Sequence, residues 1–186
     1  MSKILVDTID TRSGTTTLTL GSTNAGTIAL GSGDVQSNFL SPMFHATNTS
    51  SQTFSLNSNT KVTFDTEVFD DDGVFANSKF TVPSGKAGKY AIYIDCALQC
   101  SAAYNQVWIL LYKNGSQGDQ GNQIEQRLRL TDNYFYSDSS QRLSASGTMN
   151  LVAGDYLEMY GYINAGGGTP QFNGGTANFS GYRIGT

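Results

Sequence analysis

Lys89-Tyr90-Ala91-Ile92-Tyr93-Ile94-Asp95-Cys96-Ala97-Leu98-Gln99-Cys100 is the longest apolar stretch and decides the fold. Side chains alternate across a strand. That alternation puts Tyr90, Ile92, Ile94, Cys96 and Leu98 on one face, and Lys89, Ala91, Tyr93, Asp95 and Ala97 on the other. The first set is a core face. The second set is only half polar, which predicts that Ala91, Tyr93 and Ala97 meet another chain instead of open water. Cys96 and Cys100 point to the same side about 13 Å apart, beyond disulfide reach, so both are expected as buried free thiols.

Working outward, Pro83-Ser84-Gly85 and Ala87-Gly88 frame the approach to this strand, and further short alternating segments lie on both sides of it. The expected strands are Met43 to Asn48, Thr53 to Leu56, Lys61 to Phe64, Lys79 to Val82, Lys89 to Cys100 and Val107 to Lys113. They continue with Gln123 to Leu130, Gln141 to Leu151, Tyr156 to Ile163 and Asn178 to Ile184. Asn114-Gly115 and Ala153-Gly154-Asp155 are tight-turn signals. No segment has a helical period. Gly, Ser, Thr and Asn supply 75 of the 186 residues, and 38% hydrophobic content with 10 Tyr and 10 Phe is enough for one sandwich core.

Charge excludes some partners. Eleven basic and 15 acidic residues give a net charge of -4, with no basic run to follow a phosphate backbone, so nucleic acid is not an expected partner. The N-terminus MSKILVDTID carries only a three-residue apolar run, which fits neither a secretory signal nor a membrane span. Synthesis in a cytoplasm without membrane insertion is the expectation.

Residues 1–38 read as a separate N-terminal extension and residues 39–186 as the main domain. Thr17-Leu18-Thr19-Leu20-Gly21-Ser22 recurs as Thr27-Ile28-Ala29-Leu30-Gly31-Ser32, one strand and one turn per copy. Two such rungs bury too little apolar surface to stand alone, so Leu18, Leu20, Ile28 and Leu30 need a partner surface. A flexible leader is the competing reading.

The ordered anchors are Phe80-Thr81-Val82-Pro83, Gly88-Lys89-Tyr90, Leu111-Tyr112-Lys113-Asn114-Gly115, Ala153-Gly154-Asp155 and Phe179-Ser180-Gly181-Tyr182. In this order they resemble the globular head of complement component 1q, in the tumour-necrosis-factor-like superfamily, over about residues 42–186. The resemblance implies an all-β, ten-stranded, two-sheet jelly-roll sandwich that forms a homotrimer and recognises ligands through outer loops without catalysis. Tyr182 then joins Ala91, Tyr93 and Ala97 as a trimer-contact residue. The chain departs from secreted animal members in having no Gly-X-Y stalk. Its leader, MSKILVDTIDTRSGTTTLTLGS, instead resembles the start of tailed-phage structural proteins.

His45 is the only histidine, so no histidine metal cluster can form within one chain, and no Gly-x-Ser-x-Gly elbow accompanies it. Asp70-Asp71-Asp72-Gly73 reads as a solvated turn or as a loop that holds a hard cation. No metal or cofactor is assigned. Aromatic residues are the binding material: Tyr134 and Tyr136 in a polar loop, and Tyr160 and Tyr162 on the strand face that also carries Tyr156. Such rings suit a sugar or a protein contact. The long segment Asn164 to Gly175 reads as a recognition tip or slack loop.

The expected function is that of a non-enzymatic trimeric virion protein, a small fibre, knob or decoration docked to other virion proteins through its N-terminus. The alternative is a receptor-binding fibre tip that recognises a host surface glycan.

Overall fold

The computed structural model describes residues 41–117, 124–130 and 134–185. The repeat with Leu18, Leu20, Ile28 and Leu30 lies outside the described residues. Fourteen strands, all paired antiparallel, run through the described part. They are β1 (Met43–Thr47), β2 (Gln52–Thr53), β3 (Thr60–Lys61), β4 (Thr66–Asp70), β5 (Phe75–Ala76), β6 (Lys79–Thr81) and β7 (Gly88–Cys100). Then follow β8 (Tyr104–Lys113), β9 (Ser116–Gln117), β10 (Glu125–Arg129), β11 (Gln141–Leu151), β12 (Tyr156–Ala165), β13 (Pro170–Phe172) and β14 (Asn178–Gly185).

Two sheets share them. In the first, β11 lies on one edge of β7; β14 and β13 follow one another along the other edge, continued by β1, β2 and β4. The second sheet runs β10-β8-β12-β6-β5, with β9 on β8 and β3 on β12. The inward faces interdigitate as one apolar core: Tyr90, Ile92, Ile94, Cys96 and Leu98 of β7, as expected, against Ile109, Leu157, Met159 and Ile163 of the second sheet. Such a two-layer solution is how half-apolar sheets bury their faces. Aromatic rings fill one end of that core. Phe44 stacks on Phe80 at 4.6 Å and on Phe75 at 5.3 Å, and meets Phe179 edge-on at 4.9 Å.

All ten expected strands are present, and four more join them. β4, β5, β9 and β13 were not expected, and the ten-stranded count is corrected accordingly. The expected loop Asn164 to Gly175 contains β13, because Phe172 drives into the core below Gly161 and stacks on Phe54 at 4.3 Å. A Cβ at Gly161 would lie 2.3 Å from the Phe172 ring, so only glycine admits it. The segments expected at Thr53–Leu56 and Lys61–Phe64 are shorter, since Asn57 turns at φ 57° and hands its N–H to Ile163.

Turn chemistry matches the sequence reading. Asn114 and Gly115 take φ values of 53° and 76°, the paired left-handed geometry that folds β8 directly onto β9. Gly88 sits at φ 149° with the carbonyl oxygen of Gly185 only 2.1 Å from where its Cβ would stand, so the end of β14 closes on the start of β7. Cys96 and Cys100 are buried and unbridged, and burial pushes the Cys96 thiol up to about 12, which keeps it inert.

The strand register defines two ends. Met43 opposes Tyr182, Lys89 opposes Gly185, and Arg183 donates its N–H to Pro42, so the chain enters and leaves the sandwich at one base. Cys100 opposes Pro170 and Tyr104 opposes Ala165 at the other end, the apex. Thirteen residues of β7 place these ends about 40 Å apart.

At the β11–β12 turn, Asp155 is buried. Burial pushes its carboxyl up, but hydrogen bonds from Lys113 and Asn114, the Val152 N–H and the Lys113 charge outweigh this and hold it below its ordinary 3.8. A depressed carboxylate stabilises fully above its unfolded value and loses that contribution as pH falls through the folded one. Asp155→Asn is therefore expected to lose roughly 1–3 kcal/mol near neutral pH. The deficit should shrink in strong acid, read as the difference in urea midpoint from the parent at the two pH values.

Candidate functional site

Three surfaces carry exposed or clustered side chains of interest. The first is the outward face of the first sheet. Reading across the register, Met43, Tyr182, Ala91 and Thr148 form one row, and Phe69, His45, Ser180, Tyr93 and Ser146 form the next. Phe69, Tyr93 and Tyr182 are 43%, 40% and 45% exposed, which gathers uncovered aromatic surface on this face. Tyr182 forms a ridge between two shallow depressions of about 340 Å³ and 260 Å³, which share Ser180 and Gly181 on their floors.

The expected contact residues fall on this face, with different areas to offer. Ala91, Tyr93 and Tyr182 are adjacent. Ala97 also points outward but is only 5% exposed, because Asn173 and Thr176 fold over its backbone. Beside it Asp95 is buried, ion-paired with Arg142 and bonded by the Asn178 amide. Asn178 in turn accepts from His45 Nε2 at 3.2 Å, and the His45 ring meets Phe69 edge-on. His45 therefore has an amide partner and an aromatic neighbour. Phe69 and the two depressions escaped sequence reading, because β4 shows no alternation.

The second surface is the outward face of the second sheet. Register brings Arg127, Trp108 and Tyr162 into one row, and they stack: Arg127 lies 4.7 Å from the Trp108 ring, and Trp108 lies 3.6 Å from Tyr162 with their planes 4° apart. Tyr160 stacks on Tyr112 at 3.9 Å. Asn59 ties the two stacks together, accepting from Trp108 Nε1 and donating to the Tyr112 hydroxyl, each at 2.9 Å. Glu125 holds the Arg127 guanidinium in a bidentate pair. Tyr160 and Tyr162 thus share one face as expected, yet each has one ring face stacked, on Tyr112 and Trp108 respectively. Burial, reinforced by Glu158, pushes the Tyr160 phenol up and keeps it protonated.

The third surface is the apex turn. Phe135 pairs with Tyr104 through two backbone hydrogen bonds of 3.2 and 2.7 Å, and its ring packs on Tyr104 at 5.1 Å. Extended backbone at Phe135 then turns both neighbours outward. Tyr134 is 63% exposed and Tyr136 84%. Behind them Ser139 accepts from the Tyr104 hydroxyl and donates to the Tyr136 carbonyl, while the Asp138 N–H bonds Cys100.

The acidic run resolves as a turn. The Asp70 carboxylate accepts from the Val74 and Phe75 N–H groups, and Asp72 accepts from Ser41 and lies 3.8 Å from Lys86.

With strand order and sheet pairing in place, the fold has a known counterpart. It is similar to the globular domain of zebrafish complement 1qA protein. The TM-score is 0.52 at 16% identity, over 77% of this chain and 97% of that one. At that identity the likeness is one of fold. No protein-family model matches the sequence, and no curated protein does.

Proposed function

We propose that the chain is a non-enzymatic structural protein of a tailed-phage virion. It acts as a homotrimer, docked to other virion proteins through residues 1–38 and projecting residues 39–186 as a jelly-roll head, with no cofactor. The observation that carries this reading is the uncovered aromatic face of the first sheet. Tyr93, Tyr182 and Phe69 are exposed on a central and an edge region where the depressions beside Tyr182 could receive side chains of a second copy. Cyclic closure of such a contact satisfies every copy equally. The jelly-roll likeness and the phage-like leader supply the rest of the argument. Entry of the chain at the base, about 40 Å from the apex, suits a module held at one end and presented at the other.

The test has two parts. Light scattering of the full chain should give about 60 kDa, three times the 19.9 kDa protomer, and removal of residues 1–38 should leave a soluble trimer. A monomeric product would place assembly in the leader. In the second part, the tagged full chain should co-sediment with particles in a phage-infected host and the shortened chain should not. Equal co-sedimentation would remove the anchoring role.

A further inference from the structure

We infer that the apex turn Tyr134–Tyr136 is a binding site for an uncharged glycan, and that Tyr160 and Tyr162 are not part of it. The inference goes beyond the structural reading above toward the glycan-recognising alternative of the sequence analysis, and separates two sets of tyrosines that sequence alone groups together.

Pre-organisation is the first argument. Two large rings are held out in water at 63% and 84% exposure by a turn that is itself pinned at Phe135, Asp138 and Ser139. A slack loop could fold such rings back onto the domain; this one holds them outward. Ligands bind better to groups whose freedom is already spent. Local chemistry points the same way. Ser137, Ser139 and Ser140 follow the rings in sequence, and across the apex Ser101 bonds the backbone of Thr169 beside Gly166 to Gly168. Asp132 and Asp138 stand on either side of Tyr134–Tyr136 in sequence, and no Lys or Arg lies between residues 130 and 141. Phenol rings flanked by hydroxyls, with carboxylates as the charges nearest in sequence, complement a polyhydroxylated, neutral ligand. They offer little to an anionic glycan, which needs guanidinium or ammonium groups. Position is the third argument, since the apex lies opposite the end where the chain enters.

The ladder on the second sheet fails on the same criteria. Trp108 is covered on one face by Arg127 and on the other by Tyr162, and Tyr160 faces Tyr112. Tyr162 and Tyr112 direct their hydroxyls to Asn164 and Asn59. These rings are braces.

The experiment is binding of the full chain to immobilised neutral and sialylated oligosaccharides, with solution mass recorded on the same samples. The parent should bind a subset of the neutral glycans saturably. Tyr134→Ala and Tyr136→Ala should each weaken that binding about tenfold or more, with unchanged near-ultraviolet circular dichroism, and Tyr160→Ala and Tyr162→Ala, checked for folding in the same way, should leave it within about twofold. Tyr136→Phe, which keeps the ring, should retain most of it. Absence of binding to every neutral glycan, preference for the sialylated ones, or equal loss in the ladder variants would each overturn the assignment. A trimer that binds nothing would sink this site and leave the structural reading standing. A monomer that binds through Tyr136 would do the reverse.

Discussion

Tyr182→Lys is expected to split a particle of about 60 kDa into single chains whose sandwich is intact. Tyr182 stands on β14 as the ridge between the two depressions of the first sheet, next to Ala91 and Met43. It is 45% exposed in the single chain, so an ammonium there costs the isolated domain little. Closed threefold symmetry would enter the substitution three times. Burying an unpaired charge costs several kcal/mol, and about 1.4 kcal/mol is a factor of ten in association. Light scattering at micromolar concentration reads the result. Tyr136→Lys, at the opposite end and 84% exposed, is the control that should remain assembled. A Tyr182→Lys chain of unchanged mass would move the contact to another face.

Phe44→Ala should have the largest effect on folding. Its ring is 1% exposed and touches three others, two stacked and one edge-on, where β1, β5, β6 and β14 converge. Truncation removes the transfer energy of the ring and leaves a void, a change worth about 3–5 kcal/mol in buried cores. The lost ring pairs add roughly 0.5–1.5 kcal/mol each. Since domains of this size are stable by about 5–15 kcal/mol, the variant should stand near the edge of folding. The comparison belongs in the Tyr182→Lys background, where association does not add to stability. Urea titration gives the number, and Phe44→Leu should recover about half of it. A loss under about 1 kcal/mol would show that the three remaining rings repack without Phe44.

Most of the sandwich was legible because its long strands alternate cleanly. In β12 and the first half of β7 burial alternates with period 2, while Ile94 to Leu98 of β7 are all buried because Asp95 and Ala97 are covered by neighbouring segments. β4 was not legible. Thr66 to Phe69 are exposed on both faces of an edge strand, so no alternation marks it, and Phe69, central to the first-sheet face, went with it. β13 was hidden by composition: glycines on both sides read as slack, while the decisive event, Phe172 fitting below Gly161, is a contact between residues eleven apart in sequence and on different sheets. Tyr160 and Tyr162 illustrate the remaining limit. Alternation places both on one face, but whether a ring is free depends on what the next strand sets beside it. The pairing of Tyr162 with Trp108 is fixed by register, which single-sequence periodicity does not carry. By the same logic Phe135 could be seen as aromatic, but not as the pin that turns its two neighbours outward.

The meeting of Arg183 with Pro42 has a practical corollary. Any cargo fused after residue 185 would emerge beside Pro42, at the base of the sandwich. A displayed epitope belongs at the opposite pole, and the adjacency of the two ends offers the means. A short linker from 185 back to 41, with the chain reopened between Ser139 and Ser140, would give a circularly permuted head. Its new termini would lie at the exposed tip, and every strand pairing would be retained.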